Sequence, residues 1–116
     1  FLEYGKALDF QPKRLFWLHH VAPGQWRGRH GHRESQLILV AVNGACRAHL
    51  DDGTVRESVL LDDPSKGLYI APWVWHELTD FAPQTAVVVI ASSLYDEAEY
   101  LRDYDVFKRE VKERFG

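Results

Sequence analysis

The sequence predicts an all-β fold, an antiparallel sandwich or barrel. Three observations carry that expectation. Short runs of aliphatic and aromatic residues recur along the chain, turn signals separate them, and helical spacing is almost absent before residue 93. With 116 residues, 46% hydrophobic and 27% charged, the chain suits one domain with its own core, spanning residues 1–116.

The elements follow in order. "KRLFWLHHV" is rich in aromatic and aliphatic residues and ends at the Pro-Gly turn of "APGQ". "WRGRHGHRE", Trp26 to Glu34, leads into "QLILVAV", which is apolar on both faces. Read as one regular strand, this stretch puts His30, His32, Glu34, Gln36, Ile38, Val40 and Val42 on one side, a polar mouth above an aliphatic floor. Asn43-Gly44 supplies the residues that a tight hairpin with positive φ requires. "ACRAHL" alternates, with Arg47 and His49 on one face and Cys46, Ala48 and Leu50 on the other. "DDG" closes a second hairpin into "TVRESVLL", and "DDPSKG" is a loop. "GLYIAPWVWHELTDF" carries two short strands around Pro72, and "TAVVVIAS" is the last buried strand. From Tyr95 the chain is charged. Phe107, Val111 and Phe115, spaced four apart, predict a C-terminal helical segment that covers a sheet edge and stays out of the active site.

The formal net charge of −3 gives no global attraction to nucleic acid or an anionic membrane, so a polyanionic ligand would be met by a local cluster such as Arg27, Arg29 and Arg33. A single cysteine, Cys46, excludes an internal disulfide framework and fits a reducing cytoplasm; it reads as a buried, inert thiol. No apolar run is long enough to span a bilayer, and no charged-then-apolar leader opens the chain. The expectation is a soluble cytoplasmic protein. A start at Phe1 and the lack of methionine suggest a trimmed N-terminus or a domain excised from a longer chain.

Two histidines one residue apart among three arginines are the chemical signal. They fit a metal site, an acid/base pair, or rings simply hydrogen-bonded at a strand end. Gly24, His30, Gly31, His32 and Gly44 resemble the first motif of metal-binding cupins, and Pro72 with His76 echoes the second, one residue short of the usual spacing. Where that pattern wants a glutamate the chain has Gln36, a poorer ligand for a divalent cation, so the expectation is no metal.

The longer pattern favours the acid/base reading. "RGRHGH", "LDDGT", "GLYIAPWVWHELTDF" and "YDEAEYLRDYDVF", in that order, resemble the sugar 3,4-ketoisomerases that act on dTDP-4-keto-6-deoxyglucose. The likeness runs from about Lys13 to Phe107. Arg27, Gly28, His30 and His32 match the Arg-Gly-x-His-Ala-His hallmark, with Gly31 in place of alanine and "LHH" where relatives carry tyrosine.

The resemblance implies a cupin jelly roll, no metal or organic cofactor, and a ketone moved from C4 to C3 through an enediol for 3-amino-deoxysugar synthesis. It also implies a homodimer that exchanges N-terminal strands, which the apolar "LFWL" run favours as an uncovered strand. By similarity, His32 is the base at C3 and His30 the proton donor at C4. Histidines alternating on one strand face sit roughly 6–7 Å apart at the backbone, within reach of adjacent sugar carbons. Arg27 would stabilise the enediolate or hold the diphosphate. Arg47, His19, Tyr69 and Trp75 are further candidates for the nucleotide-sugar, alongside a core-packing role for both Trp73 and Trp75. The alternatives are a non-catalytic nucleotide-sugar-binding cupin and a metal-dependent cupin enzyme.

Overall fold

The computed structural model describes residues 8–116; the expectation of a trimmed start at Phe1 concerns residues outside that range. The strands are β1 (Arg14–His19), β2 (Arg27–His32), β3 (Leu37–Asn43), β4 (Cys46–Asp51), β5 (Arg56–Leu61), β6 (Leu68–Ile70), β7 (Trp75–Thr79), β8 (Ala86–Ala91) and β9 (Tyr100–Leu101). One helix follows, α1 (Tyr104–Phe115). They form two antiparallel sheets, β1-β8-β3-β6 and β5-β4-β7-β2-β9, so the all-β expectation holds with a single C-terminal helix.

Between the sheets lies a dry core. Leu37, Leu39 and Ala41 of β3, with Val87, Val89 and Ala91 of β8, meet Cys46 and Ala48 of β4 and Leu78 of β7. The alternation expected of "ACRAHL" is observed: Cys46 and Ala48 are fully buried, whereas Arg47 and His49 lie on the opposite face. The other face of β3 is covered too, because Leu8 and Phe10 pack on Ile38, which explains why this strand is apolar on both sides.

Three local expectations are corrected. The stretch from His30 to Val42 is not one strand. It breaks after His32, and β3 joins the other sheet, with Leu37, Leu39 and Ala41 facing inward instead of Ile38, Val40 and Val42. Asn43-Gly44 is not a hairpin turn either, since β3 and β4 lie in different sheets; the pair carries the chain from one layer to the other. Gly44 is nevertheless required, with φ +71° and Thr85 so close that a Cβ would meet its Cα at 2.8 Å. The "DDG" hairpin between β4 and β5 forms as expected.

The third correction concerns the segment from Tyr95, where helix begins only at Tyr104. Asp96 caps a single 3₁₀ turn, Glu97–Glu99, the chain then adds β9 to the edge of the larger sheet, and Asp103 caps α1. On α1, Phe107 and Val111 are buried as the spacing predicts, while Phe115 is exposed. Phe107 packs with Leu101 and Trp75 on the outer face of the larger sheet.

Gly44 and Gly24 offer an internally controlled test. Both have positive φ, but a Cβ at Gly24 would meet nothing within 4 Å. Gly24→Ala is expected to cost about 1–2 kcal/mol, the penalty of an L-residue in the left-handed region. Gly44→Ala adds the clash with Thr85 and is expected to lower the urea midpoint distinctly further. Equal midpoints for the two variants would contradict this account of the crossover.

Candidate active site

On the inner faces of β2 and β7 the interior turns from aliphatic to polar, with His32 and His76 buried there. In an antiparallel pair, directly opposite residues share a face. Along β2, Arg27 stands opposite Leu78 and His30 opposite His76, so all four point inward. An alternating strand would put Arg27 and His30, three positions apart, on opposite faces. The register shift between Gly28 and His30 removes that conflict, with Gly28 at φ +88° and Arg29 at φ +62°. His32, opposite Tyr100 on β9, continues the same inward row.

The result is a packed histidine cluster. The His30 ring centroid lies 4.9 Å from His32, 4.6 Å from His76 and 4.9 Å from Tyr100. His32 and His76 are buried, and His30 is the partly exposed member. One nitrogen from each of the three rings lies within 4.8 Å of the others, which makes them a plausible ligand set for a metal ion. Nδ1 of His30 and Nδ1 of His76 are buried with no hydrogen-bond partner among the described residues.

His32 is held differently. Its Nδ1 lies 2.7 Å from Oε1 of Glu99, and the same carboxylate accepts from Ser35 Oγ at 2.5 Å and from the backbone N–H groups of Glu34 and Ser35 at 3.1 and 3.2 Å. Burial works against this carboxylate, but the hydrogen bonds from Ser35, Glu34 and His32 together hold it down at about 2. An ionised carboxylate only accepts, so Nδ1 of His32 carries the proton and Nε2 keeps the lone pair.

Positive charge rims the cluster. Arg14 on β1 reaches across the sandwich to donate to the Tyr100 hydroxyl at 3.2 Å, and its Nε is buried without a partner. Arg102 lies over the Tyr100 ring, 4.6 Å from its centroid, and is paired with Glu97. All three cluster histidines are pushed toward the neutral form. Burial lowers His30 to about 4, with His32 and Arg102 adding to the effect. Burial also lowers His32, partly offset by Glu99, and it takes His76 well below its ordinary value, with His30 and His32 contributing.

Of the residues singled out from sequence, His30 and His32 come together on this inner face; Arg27 starts the same row, and its guanidinium donates to the Trp26 carbonyl at 2.8 Å. The rest do not. Arg47 projects from the outer face of the larger sheet with His49, which hydrogen-bonds Ser58 and Thr79 instead. Trp75 is on that outer face as well, packed against Tyr104 and Phe107 and away from the histidine cluster. Tyr69 lies outside the smaller sheet opposite Ile38 and donates to Gln36. His19 ends β1 five residues from Arg14, roughly 17 Å away along a strand.

Nor do the three arginines cluster. Arg29 stacks on Trp26 and pairs with Glu77, and Arg33 forms a two-pronged bridge to Glu110 of α1. A recess of about 550 Å³ on the outer face, lined by Arg29, His49, Asp51, Arg56 and Trp75, is walled by ions already matched with one another.

Sequence reading missed Glu99, Tyr100, Arg14 and the full part played by His76. The C-terminal segment, expected to stay out of the site, supplies the first two. Asp96 and Asp103 are each helix-capping residues, and two capping signals seven residues apart mark two separate starts rather than one helix. Arg14 shares its strand face with Phe16 and Leu18, a pattern that alternation alone reveals.

The family model described as FdtA, WxcM-like, C-terminal, matches residues 1–112. A curated relative, TDP-4-oxo-6-deoxy-alpha-D-glucose-3,4-oxoisomerase from Aneurinibacillus thermoaerophilus, is 40% identical over 110 residues, 95% of this chain and 79% of the relative. Among solved structures, a histidine-to-asparagine mutant of the 3,4-ketoisomerase QdtA from Thermoanaerobacterium thermosaccharolyticum, in complex with TDP-4-keto-6-deoxyglucose, is 35% identical. That match covers 98% of this chain and 83% of the other, with a TM-score of 0.95. The TDP-quinovose 3,4-ketoisomerase WlaRB from Campylobacter jejuni is 36% identical over 93% of this chain and 83% of its own, with a TM-score of 0.89.

The depressed histidines make a pH prediction. The unfolded chain takes up protons near the ordinary histidine value of 6.5, whereas the folded cluster refuses them until the pH is well below that. Stability therefore falls as the pH drops from about 6.5 toward 4. The carbon-bound ring protons of His30 and His76 are expected to keep their neutral-form NMR shifts from pH 8 to pH 5, and those of His32 to titrate below the ordinary value. A cluster ring that titrates near 6.5 would contradict the burial argument.

Proposed function

This chain belongs to the FdtA family, and from that premise we infer that it is a TDP-sugar 3,4-ketoisomerase. The observation that carries the reading is the His30, His32 and Glu99 arrangement at the polar end of a fold shared with 3,4-ketoisomerases of 35 and 36% identity. The substrate of choice is TDP-4-keto-6-deoxyglucose, named for both the curated relative and the QdtA complex.

Shifting the ketone requires two proton movements. The hydrogen on C3, acidified by the C4 carbonyl, leaves to a base and gives an enediolate. A proton then arrives at C4, O3 gives up its proton to become the new carbonyl, and O4 ends as a hydroxyl. A base used this way must be neutral at working pH and must reach the sugar. His30 meets both conditions: it is the least buried member of the cluster and its ring is held neutral. Its lesser burial favours giving it the C3 proton, with His32 and Glu99 behind it to orient the ring and relay charge, the reverse of the division implied by resemblance. An imidazolium formed on His30 would be stabilised by the negative charge of Glu97. Arg14, Arg27 and Arg102 supply positive charge for the enediolate and the diphosphate.

A homodimer accompanies this reading. Among the described residues β1 is an edge strand with Leu15 and Trp17 exposed, and a strand or a second sheet from another copy would cover its apolar face. Exchange of N-terminal strands is one route to such pairing.

The test is direct. Incubation with TDP-4-keto-6-deoxyglucose in deuterated water, followed by proton NMR, should show a 3-keto product with deuterium at C4. His30→Asn should abolish both C3 exchange and turnover. Glu99→Gln should lower kcat on the order of 100-fold, within the range ascribed to general acid/base groups, with little change in KM. Binding without conversion by the wild-type chain would favour a non-catalytic binding module, and full exchange in His30→Asn would return the base role to His32. In light scattering at micromolar concentration the protein is expected to run as a dimer; a monomer would count against the β1 interface.

A further inference from the structure

We propose that His30, His32 and His76 form a binding site for a divalent transition-metal cation, zinc above all, and that its occupancy blocks the isomerase. The blocking half of the proposal rests on the ketoisomerase reading; the binding half does not.

Three features support a site rather than a chance meeting of rings. The donor set is right, because three imidazoles suit zinc, and the ligand nitrogens already converge within 4.8 Å of one another. Bonds of about 2.0–2.1 Å in a tetrahedron place nitrogens roughly 3.3–3.4 Å apart, so each ring closes in by about 1 Å. Second, Nδ1 of His30 and Nδ1 of His76 are buried with no partner at hydrogen-bond geometry among the described residues, the backbones of Gly28 and Val74 giving the two rings only a small compensation for burial, and a buried polar atom left unpaired is costly unless something else satisfies it. Third, His32 donates its other nitrogen to Glu99, the carboxylate–histidine support that raises ligand basicity and fixes ring orientation.

Arg14 and Arg102 oppose a cation here, and Glu97 and Glu99 offset them. His30 is the least buried of the three rings, so a cation would enter from its side. The glutamate position of the metal-cupin pattern plays no part, since Gln36 is engaged with Tyr69 and the supporting carboxylate comes from the C-terminal segment. Zinc seated on the lone pairs of His30 and His32 removes the base, so binding and turnover are mutually exclusive.

The experiment is calorimetric titration of chelator-stripped protein with zinc chloride, without substrate. One zinc per chain is expected, with affinity reduced at least tenfold in His76→Gln and in His30→Gln, and 10- to 100-fold in Glu99→Gln, the range for outer-shell partners. Circular dichroism checks that each variant is folded, and a His49→Gln control should bind as wild type. Turnover of the stripped wild type should fall to background at one equivalent of zinc and return with EDTA. Absence of stoichiometric binding, or binding unchanged in both His76→Gln and His30→Gln, overturns the site. Binding that leaves turnover intact, or turnover that requires the zinc, overturns the blocking role. If the stripped protein converts no substrate at all, the ketoisomerase reading fails while the isotherm still decides the metal site.

Discussion

The Glu99 carboxylate is the tie on which the site depends. It receives four hydrogen bonds, from a histidine ring, a hydroxyl and two backbone amides, all within the segment from His32 to Ser35, and so ties the 3₁₀ turn to the end of β2. The amides of Glu34 and Ser35 lie in the turn where the chain leaves β2 for β3, so the carboxylate satisfies donors that neither sheet can pair. The same group fixes the tautomer of His32. Removing it would loosen the crossover between layers and leave the histidine free to rotate, which couples the fold to the chemistry through one side chain.

The second constraint is the bulge at Gly28 and Arg29. Two consecutive left-handed residues insert one extra position into β2, and this turns Arg27 to the same side as His30. Glycine adopts its φ without strain. Arg29 does not, and its guanidinium is pinned 3.7 Å above the Trp26 ring and bonded to Glu77, contacts that help hold the strained turn. A Cβ on Gly28 would sit 3.0 Å from the carbonyl oxygen of His76, so the "RGRH" pattern encodes close approach of β2 to β7 as well as backbone conformation.

Much of this was legible in the sequence, and the failures have physical causes. Period-two patterning located most of the strands and the inner face of β4, and the motif order pointed to the right family. It could not show that the chain changes sheets after His32, because an apolar run that is buried on both faces gives no sign of which side is which. Arg47, Trp75 and Tyr69 were plausible by residue type, yet each stands on an outer face. Glu99 and Tyr100 were hidden by local composition: a charged stretch next to a helix looks helical until its two aspartate caps are counted separately. His76 fell short of a motif spacing, but antiparallel register, rather than spacing along the chain, brought it opposite His30.

The larger sheet therefore does two jobs on its two faces, and Gly31 shows how they are coupled. It lies between the two histidines, opposite Leu101, and the space its side chain would fill is taken by the Phe107 ring, which a Cβ would approach to 3.3 Å. The helix is thus seated against the strand at the point where the reverse side carries the cluster. A small residue there lets α1 come close, and its closeness buries Phe107 completely. Dense packing of Phe107 on the outer face supports β2 where its inner face carries His30 and His32. An alanine at this position would press the Phe107 ring outward by a few tenths of an ångström, so the glycine sets how closely the helix seats on β2.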